Sequence, residues 1–358
     1  MQRNKKTFKG QRIFIGIDVH KRTWTYTVLT ESSNFSKTVS HEASGAKLRE
    51  YLSKNFPEGD YLAVYESGFS GYSTYYELES LGIRCIIVNG ADVPTKDSER
   101  QSKTDAVDSA KLARALKNGD LDAIYVMPRE CIDSRGVVRA RMLFQRQLSG
   151  YKSRVKHLLH CNGVRMPERF ARNSTHWSGA FMKWLRDDVE LLGTGRVSLD
   201  LLLSQVDGLR AAVLSATRKI REMSKTEDFR SNFMHLMTVP GIGELTAMTI
   251  LTEMAEPGRF KSQRAFTKYV GFVPATRDSG DHAPRCEMTD RGNAPLRCMY
   301  VEAAWRAVAT DARFASAFGS YCQRMTKNEA IVRVARQLAH ISLALIKNDK
   351  DYDADYDS

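Results

Sequence analysis

The sequence predicts an α/β domain at the N-terminus, a helical coiled-coil region in the middle and an all-α domain at the C-terminus. Short apolar strands alternate with helices over residues 1–130, a heptad pattern marks the helical residues 131–228, and further helices are predicted in residues 229–348. Residues 349–358 form an acidic tail. A length of 358 residues fits two domains plus connecting material.

The N-terminal domain has three strand-like segments in succession, after which helices and strands alternate. The predicted elements are, in order, residues 12–18, 23–29, 34–39, 44–52, 61–65, 72–81, 83–88 and 104–116. The last helix ends at Asn118-Gly119, a pair that favours helix termination. A three-strand meander followed by helix, strand, helix, strand and helix is the order of an RNase H-like (RuvC-like) fold.

The middle region contains two helical segments with different side-chain patterns. Residues 134–165 carry eight Lys or Arg and no acidic residue. Residues 198–225 place apolar side chains at alternating steps of three and four, from Leu199 to Met223, which predicts a coiled coil or an antiparallel helical hairpin. A helix packed inside one globule would have a period near 3.6 and would drift off this stripe.

The C-terminal domain opens with the segment Val239-Pro240-Gly241-Ile242-Gly243. Helices are predicted after it at residues 244–254, 295–309 and 329–346. Gly241 and Gly243 make the segment the hairpin of a helix-hairpin-helix, in which the backbone approaches a phosphate closely. An ordinary glycine-rich turn between two helices is the alternative.

The chain is basic, with 54 Lys and Arg against 42 Asp and Glu and a net charge of +12. The last ten residues hold five Asp and one Lys, a net −4, so residues 1–348 carry +16. This balance indicates a polyanionic partner, nucleic acid first, with a generic basic surface as the alternative. We expect four residues of the acid-free helix to contact nucleic acid: Arg139, Arg146, Lys152 and Lys156.

Composition also excludes several classes of protein. No apolar run approaches the roughly 20 residues of a membrane helix, and the basic N-terminus lacks the apolar stretch of a secretory signal. The six cysteines lie far apart with no CxxC pair, which is typical of reduced cytosolic thiols rather than a zinc ribbon or a disulfide scaffold. We therefore expect a cytoplasmic protein with no membrane partner.

Four carboxylates fall where an RNase H-like sheet would bring them together. Asp18 ends the first strand and Glu66 ends the fourth, whereas Asp105 and Asp108 begin the last helix, three residues apart on one face. An unpaired cluster of this kind repels itself, and a pair of Mg²⁺ ions with oxygen ligands relieves the repulsion. Two ions roughly 4 Å apart suit phosphoryl transfer. Taken singly, each acid is also typical of a turn or a helix N-terminus.

The polar segment 276–293 contains a serine beside a flexible glycine, Ser279-Gly280. A serine hydroxyl suits attack on a phosphodiester, and Arg277, Arg285 and Arg291 nearby suit stabilisation of the transition-state charge. A Ser-Gly pair in a loop is also a common structural turn. The sequence offers no Ser-His-Asp spacing, P-loop or HExxH pair that would support another chemistry.

Together these motifs resemble the DEDD transposases of bacterial insertion sequences, the group related to the Piv and MooV DNA invertases and guided by a bridge RNA. The motifs follow in the family's order: IGIDVHK at 15–21, YESG at 65–68, KTDAVD at 103–108, PGIG at 240–243, GFVP at 271–274, DSG at 278–280 and RGN at 291–293 with LR at 296–297. The resemblance extends over residues 12–345.

The resemblance implies a RuvC-like domain that binds Mg²⁺ through Asp18, Glu66, Asp105 and Asp108. It implies a transposase domain whose serine nucleophile, Ser279, becomes covalently linked to a DNA strand end. In the family, RuvC-like and transposase domains of different protomers form composite sites within a tetramer assembled from dimers. A noncoding bridge RNA pairs with donor and target DNA, and strand exchange passes through a Holliday junction. The implied location is the bacterial cytoplasm, at the nucleoid.

Other classes of protein account for part of the pattern. A Holliday-junction resolvase or similar metal-dependent DNA endonuclease explains the carboxylates but not Ser279, and a Piv-type DNA invertase explains both without a guide RNA. An actin-like ATPase also begins with a Gly-Ile-Asp strand, but its second phosphate loop and its adenosine motif are missing from the sequence. A non-catalytic nucleic-acid binder would bind equally well without the four carboxylates.

Overall fold

The structure is a computed structural model that describes residues 7–31, 36–95, 104–273 and 292–353. The chain forms two compact units, Met1–Met127 and Pro128–Ser358. An α/β first unit followed by a helical second unit confirms the predicted fold classes. The further boundary predicted at residue 228 falls inside the second unit and stays a prediction.

A mixed sheet of five strands forms the centre of the first unit, in the order β3-β2-β1-β4-β5. The strands are β1 (Arg12–Val19), β2 (Thr23–Thr30), β3 (Ser36–Glu42), β4 (Asp60–Glu66) and β5 (Arg84–Val88). The first three strands pair antiparallel, whereas β4 pairs parallel with both β1 and β5. The first and fourth strands are therefore neighbours, which the RNase H-like prediction requires.

Three helices accompany the sheet: α1 (Gly45–Asn55), α2 (Ser73–Ser80) and α3 (Asp105–Asn118). The alternating apolar residues of β1 explain its place at the centre, since Ile13, Ile15 and Ile17 are fully buried. The predicted elements all form, but the third strand ends later than expected, at Glu42 rather than at residue 39. Its register follows from pairing with β2, in which Leu29 lies opposite Ser36.

Helix α3 lies directly against the central strand because β1 has a glycine beneath it. A Cβ on Gly16 would overlap the Ser109 carbonyl oxygen and the Ala113 amide nitrogen. The buried hydroxyls of Thr27 on β2 and Ser109 on α3 are 2.9 Å apart, within hydrogen-bond distance. This close approach fixes the start of α3 relative to the end of β1.

The second unit is helical throughout the part of it that the structure describes. Its helices are α4 (Arg129–Cys161), α5 (Gly179–Asp187), α6 (Gly195–Met223), α7 (Glu227–Met237), α8 (Glu244–Met254), α9 (Gln263–Val270), α10 (Ala294–Thr310), α11 (Ala312–Cys322) and α12 (Lys327–Asn348). Helices α9 and α11 were not predicted from the sequence, whereas α7 is the helix that the helix-hairpin-helix prediction requires before Pro240. None of the helices in the described ranges has the length and apolar character needed to cross a bilayer.

The two long helices α4 and α6 pair with each other within the chain. Leu148 and Val155 on α4 share a buried core with Leu199 and Val206 on α6 and with residues of α5. The two helices run antiparallel, since Arg141 in the first half of α4 donates a hydrogen bond to Thr217 near the end of α6, at 2.8 Å. The heptad stripe therefore serves an antiparallel pairing inside one chain, one of the two arrangements that it predicts.

Helices α7 and α8 are joined by the Pro-Gly-Ile-Gly segment. Gly241 adopts a left-handed φ of +84°, and a Cβ there would overlap the backbone of α10 at Ala303 and Ala307. Gly243 is the N-cap of α8 and has open space where a Cβ would lie. Since α10 occupies the space beside Gly241, the expectation of a phosphate contact rests on Gly243.

Candidate metal-binding active site

Four acidic side chains are positioned by the ends of two strands and by the first turn of one helix. They are called here the carboxylate cluster (Asp18, Glu66, Asp105 and Asp108). Asp18 lies at the end of β1 and Glu66 is the last residue of β4. Because these strands are parallel neighbours, both acids lie at the same edge of the sheet. Asp105 and Asp108 occupy the first turn of α3, where the helix dipole favours negative charge.

The imidazole of His20 bridges two members of the carboxylate cluster. Its Nε2 lies 3.3 Å from Asp18 Oδ2 and 3.5 Å from Asp105 Oδ1. His20 follows β1 by one residue, and its backbone amide donates to the Thr23 carbonyl oxygen at 3.1 Å, which closes the turn into β2. The position of His20 is therefore set by the hairpin, and its side chain links the sheet edge to α3.

The ammonium of Lys111 bridges the other two members. Its Nζ lies 3.2 Å from Glu66 Oε1 and 3.4 Å from Asp108 Oδ1. The Lys111 side chain is only 9% exposed, whereas the His20 side chain is 52% exposed. The four carboxylates therefore divide into two pairs, each held by one nitrogen group.

The electrostatics of Asp18 show that the cluster is crowded with negative charge. Burial raises the pKa of the Asp18 carboxyl, and the charges of Asp105 and Asp108 raise it further, while His20 acts in the opposite direction. Packing around Glu66 is equally close, because a Cβ on Gly90 would overlap its carboxylate. A bound cation would relieve the repulsion between these groups.

The donor set fits a divalent metal ion. One ligand atom each from Asp18, His20 and Asp105 lies within 4.8 Å of the others. Carboxylate oxygens are the ligands that Mg²⁺ prefers, and a neighbouring imidazole is also accepted by Mn²⁺. The carboxylate cluster therefore has the chemistry of a cation site at the edge of the sheet.

The predicted nucleophile and three of its arginines lie outside the described residues, namely Ser279, Arg277, Arg285 and Arg291. The residues that flank segment 274–291 are closely packed: a Cβ on Gly292 would overlap Gly271. The Asn293 amide donates to the Tyr269 carbonyl oxygen at 2.8 Å. The two ends of this segment therefore lie side by side.

The four basic residues predicted to bind nucleic acid all lie on α4, in different environments. Arg139 is paired with the carboxylate of Glu253, and Lys152 lies over the Trp177 ring, 5.4 Å from its centroid. Burial, followed by the charge of Arg210, lowers the pKa of the Lys152 ammonium. Lys156 Nζ is 3.4 Å from Asn173 Oδ1, and Arg146 is exposed.

Sequence reasoning gave no role to His20 or Lys111. A weak signal existed for both, since His20 lies two residues after Asp18 and Lys111 follows Asp108 at the i+3 position of one helix face. Neither spacing identifies a bridge between carboxylates, because Lys111 and Glu66 are 45 positions apart. Only the sheet pairing and the position of α3 bring them together.

Comparison with known protein families finds two matches in this chain. Residues 15–161 match the DEDD transposase family of IS110 type, and residues 234–318 match the transposase family of IS116, IS110 and IS902. The first match contains the whole carboxylate cluster. The second contains the end of α7, the Pro-Gly-Ile-Gly segment, α8 and the segment with Ser279.

Individual relatives that are named as transposases align with most of the chain. A putative transposase of Sinorhizobium fredii is 28% identical over 301 residues, which is 82% of this chain and 71% of the relative. The transposase for insertion sequence element IS1533 of Leptospira borgpetersenii is 25% identical over 72% of this chain and 75% of its own length. The transposase for element IS1111A of Coxiella burnetii is 20% identical over 78% of this chain and 75% of its own length.

Proposed function

Because the chain belongs to the IS110/IS116/IS902 family of insertion-sequence transposases, we propose that it cleaves and exchanges DNA strands with the carboxylate cluster as its metal site. A transposase is a DNA phosphoryl-transfer enzyme and binds DNA. The observation that carries the proposal is the convergence of four acids from β1, β4 and α3 on one edge of the sheet.

A DEDD-type domain implies a divalent metal, and Asp18, Glu66, Asp105 and Asp108 are the residues that would hold it. The ion, when bound, polarises a phosphate oxygen and offsets the charge that develops during phosphoryl transfer. The chain's own contribution is to keep the carboxylates in place before DNA arrives. It does so through the close packing of α3 on Gly16 and through the nitrogen bridges of His20 and Lys111.

The proposed nucleophile is the hydroxyl of Ser279. In the cleavage step, Ser279 Oγ forms a bond to phosphorus, a bridging P–O bond of the DNA breaks, and the departing strand end leaves as a hydroxyl. The serine proton passes to a base and the departing oxygen takes up a proton, so atoms and charge balance. Support comes from the family match that spans residues 234–318 and from the three nearby arginines Arg277, Arg285 and Arg291.

Guidance by a noncoding bridge RNA and assembly into a tetramer complete the proposal. The charge of +16 on residues 1–348 and the acid-free part of α4 suit RNA and DNA backbones. Base pairing between the RNA and the DNA would supply sequence specificity, so the protein would need only backbone contacts. In this proposal, protomers of the tetramer share the carboxylate cluster and Ser279, so that both sites act in one reaction.

The test compares cleavage with binding in variants of the carboxylate cluster. Asp18→Asn, Glu66→Gln, Asp105→Asn and Asp108→Asn should each reduce strand cleavage by at least about 100-fold, a loss typical of an electrostatic catalytic group. Binding of RNA and DNA should remain within a few-fold of the wild type.

A matched control is Asp120→Asn, which alters an exposed acid just beyond the other end of α3. This variant should cleave normally. Full cleavage in EDTA, or in two of the four cluster variants, would contradict the metal-site proposal. Metal-dependent cleavage that leaves no protein–DNA adduct would instead favour a resolvase-like endonuclease.

A further inference from the structure

Lys111 places an ammonium group inside the carboxylate cluster. Its Nζ contacts Glu66 Oε1 at 3.2 Å and Asp108 Oδ1 at 3.4 Å, and its side chain is 9% exposed. Lysine is rarely buried unless it is paired, so the two carboxylates stabilise the buried Lys111 ammonium. The helix that carries Lys111 is held firmly against β1 at Gly16, which leaves its Cα little freedom to retreat.

The two nitrogen bridges of the cluster differ in what they permit. The imidazole of His20 has a nitrogen lone pair when neutral and is half exposed, so it can join a metal ion as a ligand or turn aside. The ammonium of Lys111 has three N–H donors and no lone pair. It cannot ligate a metal, and burial limits the directions in which it can move.

We infer that Lys111 takes the place of one of two metal ions, so that the cluster binds a single divalent ion, on the side of Asp18 and Asp105. The inference deepens the proposed function and rests on it. It departs from the pair of Mg²⁺ ions that the four acids suggest when counted from the sequence alone. It also narrows the proposed metal ligands to the side of Asp18 and Asp105, while Glu66 and Asp108 hold the Lys111 ammonium.

Competition for the same oxygens is the physical reason. A Mg²⁺ or Mn²⁺ ion joining Glu66 to Asp108 would bind their oxygens at about 2.1 Å, directly beside an ammonium that donates to those atoms. The ion and the ammonium would repel each other in a partly buried site, where screening is weak. On the side of Asp18 and Asp105, an ion meets two carboxylates and one potential ligand nitrogen.

Mn²⁺ titration of the full-length, metal-free chain, followed by electron paramagnetic resonance of free Mn²⁺, tests the inference without any measurement of activity. The wild type should bind one ion per chain. Lys111→Met should bind two, since the second pair of carboxylates loses its cation and gains room. Lys111→Arg, which keeps the charge, should bind one.

Lys117→Met is the matched control, because Lys117 is on the same helix and donates from Nζ to the Thr30 carbonyl oxygen at 2.9 Å, away from the cluster. It should bind one ion. If Lys111→Met folds only with metal, its unfolding temperature should rise far more on Mn²⁺ addition than that of the wild type. Two ions in the wild type, or one in folded Lys111→Met, would overturn the role of Lys111. Absence of Mn²⁺ binding in every form would instead contradict the metal site itself.

Discussion

The guanidinium of Arg139 holds the fully buried carboxylate of Glu253 in a bidentate ion pair, with Nε 2.6 Å from Oε1 and Nη2 2.9 Å from Oε2. Asn293 donates from Nδ2 to the same carboxylate at 2.7 Å. The pair joins α4 to α8 and to the N-cap of α10. Arg139 therefore stabilises the second unit, whatever it contributes to nucleic-acid binding.

Removal of the Arg139 charge should strongly destabilise the second unit. Arg139→Met leaves the Glu253 carboxylate buried with fewer partners, and breaking such a pair costs roughly 3 kcal/mol or more. The control is Arg146→Met, on an exposed position of the same helix, which should change the free energy of unfolding by less than about 0.5 kcal/mol. Urea unfolding followed by circular dichroism measures both.

A double variant separates the ion pair from simple packing. Arg139→Met combined with Glu253→Met should be more stable than Arg139→Met alone, because the buried charge is gone together with its partner. If Arg139→Met unfolds like the wild type, the pair contributes little and the structural role assigned to Arg139 is wrong.

The other three residues of α4 that are predicted to contact nucleic acid should control the salt dependence of binding. Each phosphate contact adds about 0.9 to the slope of log K against log salt for duplex DNA, through counterion release. The combined change Arg146→Gln, Lys152→Gln and Lys156→Gln should therefore lower the slope by roughly 2 to 3. Fluorescence anisotropy at several salt concentrations gives the slope.

Three exposed lysines outside α4 provide the control for this charge change: Lys183, Lys225 and Lys327. Their combined replacement by Gln removes the same net charge and should change the slope less. Equal slopes for the two triple variants would indicate a generic basic surface. An unchanged slope in the α4 variant would exclude this helix from the binding surface.

The C-terminal segment is tied to α7 by a pH-sensitive contact. His235 Nδ1 lies 2.7 Å from Asp351 Oδ1, and its Nε2 lies 3.0 Å from Asp349 Oδ1. The hydrogen bond to Asp351 raises the pKa of the His235 imidazole above its ordinary value, against the effect of burial, and Asp349 adds to the rise. The same contact lowers the pKa of Asp349.

The direction of each shift sets the pH range in which this contact stabilises the fold. A raised histidine pKa gives stability that is present below about pH 6.5 and is lost as pH rises through the folded-state value. The lowered Asp349 pKa gives stability that is lost when pH falls through that lower value. The contact should therefore be strongest in mildly acidic solution.

Thermal unfolding at several pH values measures this effect. Between about pH 6 and pH 9, the wild type should lose its advantage in unfolding temperature over Asp351→Asn. His160→Gln, at an exposed histidine on α4, serves as the control and should keep the wild-type pH dependence. A constant difference between wild type and Asp351→Asn across this range would contradict the prediction.

Most of the fold could be predicted from the sequence because the local apolar patterns agree with the burial of the same residues in the structure. Residues 13–17 of β1 are all buried, as their apolar run predicts, and α8 was predicted with the bounds that the structure has, Glu244–Met254. Helix α11 was missed although Phe314, Phe318 and Tyr321 follow helical spacing and pack against the core of the second unit. Its start was nevertheless marked by Asp311, whose carboxylate accepts from the amides of Arg313 and Phe314.

The candidate site was predictable only in its acids. Asp18 and Glu66 end strands, and strand ends at one edge of a sheet follow from topology. The partners of these acids depend on contacts between distant positions, such as Lys111 with Glu66. The same holds for Arg139 and Glu253, which are 114 positions apart, so no local pattern marks Arg139 as part of an ion pair.

Covalent capture of DNA by Ser279 is the sharpest test of the proposed strand-exchange chemistry. A suicide substrate with a nick near the cleavage position should trap a protein–DNA adduct that survives a denaturing gel. Ser279→Ala should give no adduct yet bind RNA and DNA as the wild type does, because only the attacking oxygen is lost. Peptide mapping by mass spectrometry then assigns the modified residue.

Two further variants make the outcome specific to Ser279. Ser262→Ala alters the N-cap of α9, where the hydroxyl accepts from the Ala265 amide at 3.1 Å, and should cost about 1 kcal/mol of stability while keeping the adduct. A mixture of Ser279→Ala with Asp108→Asn protein should recover part of the activity that each lacks alone, if protomers share their sites. An adduct that maps to Ser262 or Thr289 would contradict the assignment of the nucleophile. If the mixture recovers no activity while the wild type still forms the adduct, only the sharing of sites between protomers would be contradicted.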